Sequence, residues 1–218
     1  MAVLKIGVLA SGRGSNFQSI IDAIEAGYIK AELRVLITDN PDAFAIERAK
    51  KHRVEHVTMS PEQFVSKDTY FEKVAGKLKS CGVGLVVLAG FMRIVGKPLI
   101  DAFRNRIMNI HPALLPSFAG LHGQRQARDY GVKMSGCTVH FVDEGMDTGP
   151  IIIQAAVPVK DDDTEESLSE RILKFEHRIY PEAIRLFSED RLKVVGRKVT
   201  IEGAGIDEEG FVNPPLQK

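Results

Sequence analysis

The chain has no surplus charge of either sign: Lys plus Arg number 29 and Asp plus Glu number 29 among its 218 residues. A nucleic-acid coat or a binder of anionic membranes normally carries a basic excess, so this balance argues against both. Cysteine is scarce. Cys81 and Cys137 stand far apart and in no metal-ligand spacing, so free thiols in a reducing cytosol are expected. No apolar run reaches the roughly 18 residues of a membrane span. The start, MAVLKIGVL, lacks the charged head, long apolar stretch and cleavage site of a secretion signal. No linker, repeat or low-complexity segment divides the chain. What is present, 44% hydrophobic and 27% charged residues, is the composition of a globular protein. The expectation is a cytoplasmic protein of one domain, residues 1–218, acting on small molecules.

The first hundred residues alternate between short β-branched runs and helical patterns. Val3 to Leu9 is almost continuously apolar, as a strand buried on both faces should be. A loop of sequence ASGRGSN follows at 10–16, and Phe17 to Ala26 reads as a helix closed by Gly27. Leu33–Thr38, Val54–Thr58 and Val83–Ala89 read as further strands. Helices are expected between them, one capped by the 39–42 turn and running to about Lys51, one over Asp68–Lys79. This alternation predicts an α/β fold with a doubly wound, mostly parallel sheet. The second half departs from it. Arg106–Ile110 is a strand closed by His111 and Pro112, and Cys137–Val142 and Ile151–Val159 flank the eight-residue loop DEGMDTGP. Mixed strands are therefore expected there. Thr164 should cap a long helix to about Asp190, with Pro181 kinking or splitting it. Short β-like pieces and a Pro-rich tail, about 201–218, complete the chain.

Three motifs are candidates for chemistry. The loop at 12–17 follows a strand and opens a helix, where backbone N–H groups can cradle a phosphate. Phe17 stands where a dinucleotide fingerprint needs a small residue, although Asp39 occupies the ribose position of such a site. A glycine turn serving only chain reversal is the alternative. His52, Glu55 and His56 match a zinc-peptidase pattern, but that pattern needs both histidines on one helix, and 54–58 reads as strand. No metal site is expected. Asn109 and His111 lie two apart on a strand and so share a face, at the carboxyl end where open α/β sheets bind ligands. An amide beside an imidazole suits a developing oxyanion, and Asp147 is a candidate to hold His111 protonated and accept a proton through water. Spacing alone leaves a structural histidine an equal alternative.

Taken together, ASGRGSN at 10–16, LAGFMRI at 88–94, NIHPALLP at 109–116, GLH at 120–122, CTVHFV at 137–142, DTGP at 147–150 and EHRIYP at 176–181 resemble the phosphoribosylglycinamide formyltransferases of purine synthesis. The resemblance spans about residues 3–195. It implies transfer of a formyl group from N10 of 10-formyltetrahydrofolate, the co-substrate, to the amine of 5-phosphoribosylglycinamide. Asn109, His111 and Asp147 would be catalytic, with no metal and no covalent enzyme intermediate. Gly14, Ser15 and Asn16 would take the ribonucleotide phosphate, and Glu176 its ribose hydroxyls. The folate would meet Arg93 and the backbone of Met92, Ile94 and Val95. His140, Phe141, Val142, Asp143 and Asp147 would cover its pteridine, and Asn109 would also touch it. On a helical wheel Glu176 sits at the edge of the stripe formed by Leu168, Ile172, Phe175 and Ile179, with His177 opposite.

Lys67 stands where some relatives carry arginine near the folate glutamate tail, and so keeps the charge without bidentate geometry. Ala113 and Gln124 depart from a serine and a histidine. Rival readings are a formyltetrahydrofolate deformylase, a methionyl-tRNA formyltransferase and a nucleotide-binding or NAD-dependent protein. The first two normally carry extra domains, for which 218 residues leave little room. The third gives Asn109, His111 and Asp147 no task. A monomer and a homodimer remain equally open.

Overall fold

In a computed structural model, residues 3–203 and 205 are described; the expected tail beyond them, 206–218, lies outside the described residues. The described strands form one sheet in the order β3-β2-β1-β4-β5-β6-β7-β9-β8. Its first five strands, β1 (Leu4–Leu9), β2 (Ala31–Thr38), β3 (His56–Thr58), β4 (Leu85–Leu88) and β5 (Ile107–His111), are parallel. From β5 the sheet turns antiparallel into β6 (Met134–Phe141) and β7 (Ile151–Pro158), and the pair β8 (Leu192–Val195) and β9 (Lys198–Ile201) closes that edge. The fold is thus α/β, mostly parallel, with antiparallel strands in the C-terminal half.

Period-two alternation explains why the parallel strands read as unbroken apolar runs. Ile6 and Val8 of β1, Leu36 of β2, and Leu85 and Val87 of β4 enter one core, with Phe17, Ile20, Leu168, Ile172 and Tyr180. Leu9, Val35, Ile37, Val86 and Leu88 enter a second core on the opposite face, with Tyr70, Phe71, Val74 and Leu78. Both faces are covered, so the central positions of these strands are apolar on either side. Helices α1 (Ser15–Glu25) and α6 (Glu165–Ser188) lie over the first core, and α3 (Lys67–Ser80) and α4 (Lys97–Ala102) over the second.

Most expected elements are present within a few residues, and the exceptions have physical reasons. Helix α6 is continuous through Pro181. One missing N–H is offset because its buried face packs on α1, β6 and β7. Its start is as expected, with Thr164 Oγ1 accepting from Ser167 N in a reciprocal box. The 39–42 turn does not cap α2 (Ala45–Lys51): Phe44 holds the N-cap position without a side-chain bond, and Asn40 Oδ1 instead accepts from Asp42 N. Helices α4 and α5 (Gly123–Tyr130) were not expected. Helix α4 is six residues long, and α5 buries only Gly123 and Ala127, so neither writes an apolar stripe into the sequence. His52 ends α2 while His56 begins β3, and Glu55 pairs with Lys77, so the zinc-like pattern is not on one helix.

Candidate active site

The carboxyl ends of β1, β4 and β5 bring the flagged residues together. After β1, Gly14 sits at φ 66°, and a Cβ there would lie 2.9 Å from Ala45 Cβ, so only glycine lets the chain turn into α1. No side chain caps α1. Its first-turn N–H groups, from Ser15 onward, therefore receive no capping side chain. The loop is tied to the segment after β4, since Ser11 N donates to Gly90 O and Ser11 Oγ accepts from Met92 N. Asn16 is buried, and its amide is committed: Nδ2 donates to Glu176 Oε2 at 2.7 Å, across 160 residues of chain. Asn16 Oδ1 has no partner. Glu176 is itself buried, and desolvation raises its pKa while the Asn16 hydrogen bond opposes the rise.

At the end of β5, Asn109 and His111 share a face, and the antiparallel register sets His140 opposite Asn109 and Thr138 opposite His111. His140 is buried, with its pKa lowered by desolvation. Its Nδ1 donates to Phe141 O at 2.8 Å, so in the neutral ring Nε2 accepts from Asn109 Nδ2 at 3.2 Å. This chain fixes the amide orientation and leaves the second Nδ2 hydrogen of Asn109 unassigned. His111 is held at both nitrogens. Nε2 donates to Phe118 O at 2.9 Å, and Nδ1 lies 3.4 Å from Asp147 Oδ2. The ring thus lies between a backbone carbonyl and a carboxylate. Asp147 sits at φ 55°, a left-handed backbone that non-glycine residues seldom adopt, and Oδ2 also accepts from Gly120 N at 2.8 Å. Its Oδ1 lies 3.8 Å from His140 Nε2.

Several positioning groups are visible only in the structure. Thr138 Oγ1 donates to Ala113 O and accepts from Leu115 N and from Gln154 Nε2, whose amide also reaches Leu115 O. One hydroxyl therefore uses its full hydrogen-bonding capacity on the turn that follows His111. Tyr180, one helical turn after Glu176, is fully buried. Its hydroxyl faces Leu88 O at 3.0 Å and Met108 O at 2.9 Å, joining α6 to the last residue of β4 and the second residue of β5. The signal for Tyr180 was its place at i+4 from Glu176 on one helix face; the others carried none, because backbone groups leave no trace in a side-chain pattern.

The remaining flagged residues divide. Lys67, Met92, Arg93 and Ile94 line a cavity of about 560 Å³ together with Tyr70 and Phe71. Val95 and Phe141 are core residues, and Val142 gives its N–H to Ile107 O, so these three offer a ligand little beyond backbone. Asp143 Oδ1 accepts from Gly145 N and Thr148 Oγ1, shaping the loop that carries Asp147. Asp39 does not stand free for a ribose: Arg93 Nε donates to its Oδ2 at 2.5 Å.

A sequence model of the formyl transferase family matches residues 4–184. The chain is 38% identical over 208 residues to a phosphoribosylglycinamide formyltransferase of Escherichia coli strain K12, covering 95% of this chain and 98% of that one. It is 45% identical over 184 residues to the trifunctional purine biosynthetic protein adenosine-3 of Drosophila melanogaster, covering 84% of this chain but only 14% of that larger protein. The crystal structure of glycinamide ribonucleotide transformylase 1 from Symbiobacterium toebii superposes with a TM-score of 0.90 at 53% identity, covering 91% of this chain and 94% of that one. With the family match spanning most of its length, the chain belongs to the formyl transferase family.

Proposed function

We infer that the protein transfers the formyl group of 10-formyltetrahydrofolate to the amine of 5-phosphoribosylglycinamide. The observation that carries this reading is the constellation at the end of β5. An amide with a spare hydrogen, Asn109, stands beside a histidine, His111, whose contacts suit the imidazolium, and a carboxylate, Asp147, sits against that ring. The amine nitrogen attacks the formyl carbon and a C–N bond forms. The formyl oxygen becomes an oxyanion that takes the free Asn109 hydrogen and competes with the Phe118 carbonyl for the His111 Nε2 hydrogen. The proton lost by the attacking nitrogen passes by way of Asp147, His111 and water to N10 as the C–N10 bond breaks.

The two substrates approach from opposite sides of this pair. The uncapped start of α1, at Gly14, Ser15 and Asn16, receives the phosphate, and Glu176 accepts from ribose hydroxyls. Asn16 contributes its backbone there, its side chain serving to orient Glu176. The folate lies along Met92 to Val95, with its tail toward Arg93 and Lys67 and its pteridine under His140 to Asp147. The work is done in the cytoplasm by a single domain. The test follows tetrahydrofolate release by absorbance with and without 5-phosphoribosylglycinamide, and in a parallel arm with NAD(P)H. Release should require the ribonucleotide; release at the same rate in its absence would assign hydrolysis instead.

A further inference from the structure

Asp39, which occupies the ribose position of a dinucleotide site in the sequence, is left without a task by the proposed chemistry. It follows β2 directly, at the ligand edge of the sheet, and its side chain is only 7% exposed. Oδ2 accepts from Arg93 Nε, and Glu62 Oε1 lies 3.6 Å from Nη2 of the same guanidinium. Asp39 Oδ1 and the Tyr70 hydroxyl are both buried without a hydrogen-bond partner. Burial and the nearby Asp39 charge push the Tyr70 hydroxyl up to about 12, so it stays a neutral donor. The two cations of the cavity therefore differ. Arg93 faces a buried carboxylate at contact distance, which cancels most of its charge for any anion arriving from further away. Lys67 opens α3 with its Nζ 6.0 Å from the Phe71 ring centre, and no carboxylate pairs with it among the described residues.

We propose that Asp39 is a specificity-determining residue for the acidic tail of the folate. It orients Arg93 through Nε and subtracts its charge, so each added glutamyl carboxylate enters against a buried anion while Lys67 supplies the net attraction. This rests on the folate reading of the cavity given above. Asparagine at 39 keeps an acceptor oxygen for Arg93 Nε and removes the negative charge, which separates orientation from electrostatics.

Titration calorimetry with tetrahydrofolate bearing one glutamate, three glutamates, or one glutamate as its diester tests the assignment. Asp39→Asn should bind the monoglutamate about threefold and the triglutamate about tenfold more tightly, and leave the uncharged diester within twofold. At 0.5 M NaCl the gains should shrink toward nothing. Lys67→Gln should give the mirror result, weakening the triglutamate more than the monoglutamate. Equal tightening of the diester, gains below twofold or weaker binding in Asp39→Asn, or equal weakening of both tails in Lys67→Gln, would overturn the role of Asp39. Wild-type protein that binds none of the three would instead overturn the folate reading on which it stands.

Discussion

Two carboxylates stand at the two ends of the site, and they are treated in opposite ways. Asp147 accepts from the Gly120 N–H and faces His111 Nδ1. Glu176 is buried more deeply and receives one neutral amide hydrogen, from Asn16. A carboxylate whose donor is fixed by the backbone is oriented before any substrate arrives, which suits a group that must face the His111 ring through each turnover. An anion starved of donors is held at a cost, and a ligand bringing hydroxyl groups relieves that cost on binding. Preorganisation at the reacting end and unmet demand at the recognition end are thus built from the same side-chain chemistry. What differs is how many N–H groups the fold aims at each.

The sharpest way to break this contrast is to remove the charge at the reacting end. Asp147→Asn keeps the shape and an acceptor for Gly120 N but no longer balances a charged His111. Turnover should fall by about 10²–10³-fold while binding of both substrates, read by calorimetry, changes little. An unaltered kcat would remove Asp147 from the mechanism. Asn109→Ala should cost slightly less, about 10²-fold in kcat, as the loss of one oxyanion donor does elsewhere.

How much of this could be read from the chain alone follows the same division. Asn109 and His111 were legible because a strand has period two and Pro112 marks its end, so their shared face and their place at the carboxyl end of the strand came with the spacing. The parallel half was legible because strands buried on both faces write apolar runs such as VGLVVLA. The backbone partners of His111 and Asp147 were not legible: Phe118 O, which accepts from His111, and Gly120 N, which donates to Asp147, lie in a loop whose path depends on Thr138 and Gln154, one strand and two strands away. Helix α5, GQRQARDY, has too few buried positions to show a period. The bond from Asn16 to Glu176 spans 160 residues and was invisible, so Asn16 was expected to meet a phosphate with a side chain already in use.

The recognition end can be broken by neutralising Glu176. Glu176→Gln still accepts from Asn16 but is a weaker acceptor for ribose hydroxyls, so KM for the ribonucleotide should rise about tenfold with kcat within twofold. Stability should move the other way. Burial raises the Glu176 pKa above its ordinary 4.5, so the folded chain holds this proton more tightly than the unfolded chain does. The stability linked to that proton is complete below pH 4.5 and is lost as pH rises through the raised value. The glutamine variant escapes the loss. It should melt roughly 2–4 °C higher than wild type at pH 8, the shift that about 1 kcal/mol produces at this size, and with no advantage at pH 4. A variant that is no more stable at pH 8 would mean that the ionised group is better solvated than its burial implies.

His140 links the two ends of the comparison, since it is buried like Glu176 yet sits beside Asp147. Desolvation lowers its pKa below the ordinary 6.5, so the unfolded chain takes up a proton before the folded chain does. The stability tied to the neutral ring is present above pH 6.5 and is lost as pH falls through the lowered value. The neutral ring is also what accepts from Asn109 Nδ2; once Nε2 carries a proton, the amide must turn and present its oxygen. Acidification should therefore reduce kcat through Asn109 as well as destabilise the fold. His140→Gln offers an acceptor that never titrates. It should flatten the acid limb of the melting temperature between pH 6.5 and 5 by a few degrees, the smallest effect among these variants. If wild type and variant lose stability in parallel over that range, the acid sensitivity belongs to other groups, and the Asn109 amide does not depend on the protonation of its neighbour.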